Sequence, residues 1–381
     1  MTIWYIIILT LFIFVSLEVA GMNRISVFGN HHELSNEVFT FNKLVFIYVA
    51  CVLAFLSAFR FETGRDWENY IRMFNEAEER LKTGTIEKGY IALNWAFKNA
   101  GLSYWCMQAC ILLFCSWCLF RSFYRKSTYP LYTLAIYFCS YFFSNDLAQT
   151  RQYIAMSVLI LGLGFIEKKK FMFWLLIVIL AMQFHITAIT AFPLYFTNRI
   201  KIKPWQTFVI LLGCLFLNLF GLELIWKVME FTVNIKLLPD RIDSILWNYM
   251  HSSEYNKQAE YSTGLGLLLQ YGFYCVVLFL YYVKYQNKRV NESFILNFLI
   301  GVLFSALGRN FSQFSRIGNY YILCGGGIFA YNIIPESFIF FKKVDVFRGL
   351  ISLLWLLFLM YNFLSAWINE IEYSYRTFLL T

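Results

Sequence analysis

Charge is what this chain has least of. Only 14% of its 381 residues are Asp, Glu, Lys or Arg, where a soluble domain of this size carries nearly twice that fraction. A water-soluble globule is excluded on that ground. No low-complexity linker, charged tail or internal repeat interrupts the sequence. It also lacks a phosphate-cradling glycine loop of the nucleotide kind; Gly325-Gly326-Gly327 falls inside an apolar run, where close helix packing is the better reading. Histidine is scarce, 4 in all with two adjacent at His31-His32. No His/Cys/Asp spacing fits a metal site, so neither metal nor cofactor is expected. The 9 cysteines lie almost entirely within apolar runs, an odd number that argues against a disulfide framework. Cys115-Ser-Trp-Cys118 is a CxxC by letter only, set mid-helix with no strand or histidine partner. The first segment, Thr2 to Ala20, has no basic residues ahead of it and reads as a retained span rather than a cleaved signal.

What is present is apolar length. Hydrophobic residues make up 59% of the chain, with a mean hydropathy of +0.57. Apolar runs of about 17–22 residues recur throughout, the pattern of a polytopic membrane protein. Aromatic residues reach 21%, with 42 Phe and 26 Tyr, as lipid-facing Phe and interfacial Tyr and Trp require. The net charge of +9 is no nucleic-acid footprint: its Lys and Arg sit in short loops that fix orientation.

One stretch sets the topology. Ser144 to Pro193 reads as a helix from about Tyr153 to Ile166, the cluster Glu167-Lys168-Lys169-Lys170, and a second apolar run ending at His185. The lysines mark the cytoplasmic side, so Arg151 and His185 are expected together near the opposite face. Counting outward, the cytoplasmic loops are Gly21–Lys43, Arg121–Ser127, Glu167–Lys170, Asn198–Lys203, Lys284–Arg289 and Pro335–Arg348. The external segments are Arg60–Ser103, Asn145–Arg151, the His185 turn, Glu223–Thr263, Gly308–Gly318 and the tail after Trp367. The result is an all-α bundle of roughly twelve spans with both termini outside the cytoplasm, a single integral membrane domain over residues 1–381. Two external loops, 60–103 and 223–263, are long enough to carry short amphipathic helices. In the first, Trp67, Tyr70, Ile71, Phe74 and Leu81 share a face, followed by a helix with Tyr90, Leu93 and Phe97 on one side; in the second, Pro239-Asp240 starts a helix. Such helices serve either as fixed caps or as lids.

The external face collects arginines where spans meet loops: Arg60, Arg65, Arg151, Arg309 and Arg316. The positive-inside bias works against them. Each alone is explained by snorkelling or by an ion pair; their recurrence on one face suits a phosphate or diphosphate, whose oxygens match the guanidinium fork two at a time. His185 is either a satisfied structural group or, at an external turn, a general base. Asp66, Glu62, Glu87 and Asp146 share that face, each a base or an arginine's partner.

These residues resemble the EpsG-like branch of the Wzy-type polysaccharide polymerases. Arg60-Phe-Glu-Thr-Gly64-Arg-Asp66 is similar to that family's Arg…Gly-x-Asp element, with Glu62 where a small residue is expected and Trp67 where Tyr is. Glu87-Lys-Gly89-Tyr90 with Asn94 resembles its Glu-x-Gly-Tyr…Asn element. Arg151-Gln152, a span, Glu-Lys-Lys-Lys, a span and Phe184-His185 resemble its core, and Arg316-x-Gly318-x-Tyr320-Tyr321 its late arginine element. The likeness runs from Phe59 to about Tyr331. It implies a metal-independent glycosyltransferase with a GT-C-like bundle in the bacterial inner membrane, active on the periplasmic side. Such an enzyme joins oligosaccharide repeat units carried on undecaprenyl diphosphate, in O-antigen or exopolysaccharide synthesis. It implies Arg60, Arg65, Arg151, Gln152, Arg309, Arg316, Tyr320, Tyr90 and Asn94 as substrate-binding residues and His185, Asp66 and Glu87 as catalytic candidates. Trp67, Tyr70 and Tyr90 would stack on sugars. Membrane lipid, a chain-length regulator and a flippase are the implied partners; nucleic acid is not. The alternatives are a transporter or flippase for a lipid-linked sugar or another anion, which would place charge near span centres, a membrane acyltransferase using His185, a scaffold protein, and a glycan ligase of the same architecture.

Overall fold

The computed structural model describes residues 2–27, 32–63, 66–83, 87–197, 199–200, 202–234, 265–284, 292–308, 312–337, 352–361, 363–364 and 376–377. Among these residues the fold is all-α apart from one two-stranded pairing. By Cα packing it divides into two compact units, Met1–Tyr195 with Ile328–Thr381, and Phe196–Gly327.

The first unit opens with α1 (Thr2–Val27) and α2 (His32–Ala58), which extend well into the stretch expected as the first cytoplasmic loop. Strand β1 (Arg60–Phe61) follows, then α3 (Trp67–Asn75), α4 (Ala77–Thr83) and α5 (Lys88–Asn99). The amphipathic helix expected over this loop is thus two helices, broken at Glu76. Tyr70 and Phe74 are buried, whereas Leu81 is exposed and does not share their environment. Next come α6 (Tyr104–Lys126), whose first N–H groups are capped by Ser103, and α7 (Pro130–Tyr137), which continues as a π-helix over Phe138–Ala148. Only Gln149 separates it from α8 (Thr150–Glu167), so the expected Asn145–Arg151 loop shrinks to one residue. Then α9 (Phe171–Met182), a 3-10 turn (Ile186–Ala191) and α10 (Leu194–Thr197) close the segment. Lys169, at φ 56°, makes the tight left-handed turn between α8 and α9.

Helix α6 shows how the sequence is sorted. Met107, Leu112, Cys115, Cys118 and Leu119 are buried while Leu113, Phe114 and Trp117 are exposed, the division expected when the outer face meets lipid. Among the described residues it is the one helix both long and apolar enough to cross a membrane alone; shorter apolar helices of 10–17 residues recur through the chain. At its end Lys126 pairs with Glu167 of α8 at 3.0 Å, so two of the segments read as cytoplasmic, Arg121–Ser127 and Glu167–Lys170, meet at one end. Beneath α7, Glu18 is fully buried and accepts from the Leu131 and Tyr132 N–H groups at 3.1 and 2.9 Å. This carboxylate serves the start of a helix that has no local side-chain cap.

In the second unit α11 (Pro204–Asn234) runs on through residues expected in an external loop. It is bolted to α12 (Leu265–Lys284) by Thr207–Tyr282 and Asn218–Tyr271 hydrogen bonds of 2.5 and 2.6 Å. Helix α13 (Glu292–Gly308) folds back on α14 (Ser312–Asn319), its π-helical continuation Tyr320–Cys324, and the turn at Gly327. Glycines set the spacing of this hairpin. A Cβ on Gly318 would stand 2.9 Å from the Gly301 carbonyl oxygen, and one on Gly327 would stand 2.9 Å from the Phe298 nitrogen. The Gly308–Gly318 stretch, expected as a loop, is therefore largely helix. Gly326 occupies the left-handed region at φ 77°. The amphipathic helix expected after Pro239 lies outside the described residues. A 3-10 turn (Gly327–Asn332) and α15 (Ile333–Ser337) return the chain towards the first unit's sequence.

Candidate functional site

The end of α8 opposite the lysines gathers the expected residues of the first unit. Arg60, 2% exposed, leaves α2 through β1 and donates from Nη2 to Thr150 Oγ1 at 2.7 Å. Its backbone is fixed twice over. β1 pairs antiparallel with β2 (Arg376–Thr377), Arg60 facing Thr377, and Gln108 Nε2 of α6 donates to the Arg60 and Ala58 carbonyls at 2.9 and 3.2 Å. Tyr104, one turn before Gln108, donates to its Oε1 at 3.2 Å. Glu62 follows at φ 47°, a left-handed conformation that suits a glycine or asparagine better. That is the position where the family resemblance calls for a small residue.

Arg151, next to Thr150, pairs through Nη1 with Glu87 Oε2 and stacks over the Tyr70 ring, Cζ 5.9 Å from its centroid. Of the two roles open to Glu87, base or arginine partner, the geometry displays the second. Its other oxygen accepts from the Ile186 N–H at 3.5 Å, and Gly89 N–H donates to the Gln183 carbonyl at 2.9 Å. The start of α5 is thereby clamped to the turn that carries His185. That contact requires glycine: a Cβ on Gly89 would lie 2.8 Å from Gln183 Cβ and 3.0 Å from its carbonyl oxygen.

His185 is buried, extended at φ −153°, and stands at the start of the 3-10 turn with Nδ1 2.5 Å from Thr187 Oγ1. Asp66 begins α3, one turn before Tyr70. Tyr90 and Asn94 are buried on one side of α5, Asn94 Nδ2 donating to the Tyr90 carbonyl at 2.7 Å, and Gln152 is buried at the start of α8. Tyr90 packs edge-on against Tyr70 at 5.8 Å; burial, with Tyr104 and Tyr70 nearby, pushes its phenol well above the usual range. Arg151 Nε, the Tyr90 hydroxyl, Asn94 Oδ1 and Gln149 Oε1 are buried without a hydrogen-bond partner among the described residues. A family model, the EpsG family, matches residues 43–377. The chain belongs to the EpsG family.

No curated protein and no solved structure matches it. At the level the family carries, this EpsG-family chain is a membrane protein with a polysaccharide-polymerase-like role on a lipid-linked saccharide. Arg316 and Tyr320 belong to the second unit, Arg316 on α14 and Tyr320 buried at its π-helical continuation; Arg65 and Arg309 lie outside the described residues. Two residues escaped the sequence reading. Gln108 was legible as a polar side chain inside an apolar helix, where such groups are costly unless paired. Thr150 gave no signal beyond its place beside Arg151. Tyr70, expected as a sugar-stacking ring, lies under the Arg151 guanidinium.

Proposed function

We propose that this EpsG-family protein joins oligosaccharide repeat units carried on a polyprenyl diphosphate, at the periplasmic face of the bacterial inner membrane, within a bundle of the GT-C kind. The observation that carries the reading is the pair of guanidiniums at one helix end, Arg60 bonded to Thr150 and Arg151 beside it. Two guanidinium forks at one helix end match the oxygens of a diphosphate. The unpartnered Arg151 Nε and Tyr90 hydroxyl are further donors for such a ligand.

In the reaction the acceptor hydroxyl oxygen attacks the anomeric carbon of the donor. The bond to the diphosphate breaks, and its electron pair leaves with the phosphate oxygen. Arginines holding that oxygen stabilise the developing charge. The hydroxyl proton passes to a base. His185, whose Nδ1 lies 2.5 Å from Thr187 Oγ1, is the first candidate for that base, and Asp66 is the second. Glu87 orients Arg151 and the His185 turn together. Arg316 and Tyr320, in the second unit, are proposed as substrate-binding residues by the family resemblance alone.

Lysine at Arg151 keeps the charge but loses the two-point contact. Arg151→Lys is expected to lose most polymer at normal membrane abundance; near-normal polymer length would reduce Arg151 to a packing residue. In a deletion strain, single repeat units retained on the carrier mark a polymerase, and full-length polymer retained there marks a ligase.

A further inference from the structure

The segment that carries His185 is too short to cross a bilayer. Helix α9 has 12 residues, about 18 Å at 1.5 Å per residue, against a hydrocarbon core of about 30 Å. The return leg is equally short. A 3-10 turn of six residues leads on to Tyr195, whose hydroxyl donates to the Lys169 carbonyl at 2.8 Å. Trp174 Nε1 donates to the Phe192 carbonyl at 3.2 Å, and the Phe171 ring packs edge-on against Phe192 and Tyr195. The chain comes back to the level it left. That level is charged, with Lys168–Lys170 beside the Lys126–Glu167 pair. Helix α6, which ends at the same pair, has 23 residues, about 35 Å and a full crossing.

Apolar segments of about 10–14 residues are buried core helices, re-entrant or interfacial rather than spanning. A core helix would be covered, and an interfacial one would present a polar face. Helix α9 does neither: Met172, Phe173, Leu176, Ile179 and Leu180 are all exposed. A re-entrant turn must have its backbone satisfied by protein. This one does, through Gly89 N–H on the Gln183 carbonyl and Ile186 N–H on Glu87.

We infer that Phe171–Tyr195 is a re-entrant hairpin, entering and leaving on the lysine side, whose apex holds His185 and the Glu87–Arg151 pair inside the hydrocarbon layer. The apex stops about 10 Å short of the outer boundary, and Arg151, counted along α8 from Glu167, about 6 Å short. The topology then has roughly ten full crossings and one hairpin, and the sidedness of every other loop is unchanged. The depth of the apex does not depend on the proposed function.

The test is a depth measurement on the full chain in dioleoylphosphatidylcholine vesicles. A nitroxide attached through a ketone-bearing non-natural residue leaves the native cysteines in place. It is introduced singly at Ile186 and Leu180, and for reference at Leu113, mid-way along α6, and Leu102, just before it; all four are exposed. Relaxation by oxygen and by a water-soluble nickel chelate gives the depth. For the hairpin, Ile186 matches Leu113, with an oxygen-to-nickel ratio several-fold above that of Leu102. A ratio at Ile186 equal to that of Leu102 overturns the proposal, because the apex then lies at the polar boundary. If a label at Ile186 lowers abundance, Leu180 discriminates in the same way: mid-bilayer values support the hairpin, and values falling towards those of Leu102 refute it. Loss of polymer in Arg151→Lys bears only on the function, so either result stands without the other.

Discussion

Replacing Gly89 by alanine tests whether the contact between α5 and the His185 turn holds the site together. The new Cβ would lie 2.8 Å from Gln183 Cβ and 3.0 and 3.1 Å from the Gln183 carbonyl oxygen and carbon. Ordinary carbon contacts begin near 3.5 Å. The carbonyl is backbone and cannot rotate away, so α5 must retreat by roughly 0.5–1 Å. Overpacking of this kind costs about 1–3 kcal/mol, and alanine's helix propensity offsets up to about 1 kcal/mol of that. The net loss of stability is therefore modest, about 0–2 kcal/mol with the full offset. The consequence for the site is larger. Glu87 lies two residues away and holds both Arg151 and the Ile186 N–H, and a shift of about 1 Å in a positioned group costs on the order of 100-fold in rate. Polymer output should fall far more than membrane abundance when both are measured in the same cells. Gly164→Ala is the control: a Cβ there meets nothing within 4 Å, and the variant should match the parent or gain up to about 1 kcal/mol. Parental polymer length in Gly89→Ala at parental abundance would refute the clamp.

Gln108→Leu leaves the Ala58 and Arg60 carbonyls without its amide, at about 1–3 kcal/mol for each left unpaired; lower protein level and lower activity per molecule are expected, with Gln108→Glu failing as well because it cannot donate both bonds. Gly318→Ala forces α14 off the Gly301 carbonyl and should lower thermal stability by about 1–3 kcal/mol in purified protein, whereas Gly266→Ala, whose Cβ meets open space, should not. Glu18→Gln keeps one acceptor for the two N–H groups that open α7, and a loss of about 1–2 kcal/mol is expected in the same melting assay; an unchanged midpoint would mean that α7 starts without that carboxylate.

The parts that were legible in the sequence are those written in a local code. The α8–lysine–α9 stretch is set by hydropathy and a basic cluster, and Arg151 and the His185 turn do share one end of it. The early amphipathic helices follow from the spacing of Tyr70, Phe74 and Tyr90, although the break at Glu76 does not. Contacts between distant residues left no periodic trace. Glu18 gave no signal in its apolar run, because its partners are backbone N–H groups 113 and 114 residues away. The pairing of β1 with β2 joins two dipeptides, too short for any alternation to show. The π-helix at Phe138–Ala148 turns an expected loop into a continuous rod, since an apolar run does not say which carbonyl each N–H will choose. Glu87 was left open between two roles for the same reason: only its position beside Arg151 decides between them.

The β1–β2 pairing has a consequence in time. Arg60 emerges early in synthesis, but the strand that fixes its backbone follows roughly 300 residues later. Until Arg376 and Thr377 are made, the edge beside Arg60 offers unpaired backbone groups to whatever else can bond them. The chain must be made as far as Thr377 before that wall of the site can close. A nascent or truncated molecule could thus carry both arginines and remain unfinished at the residue that matters, so that the site is acquired only after those two residues have been made.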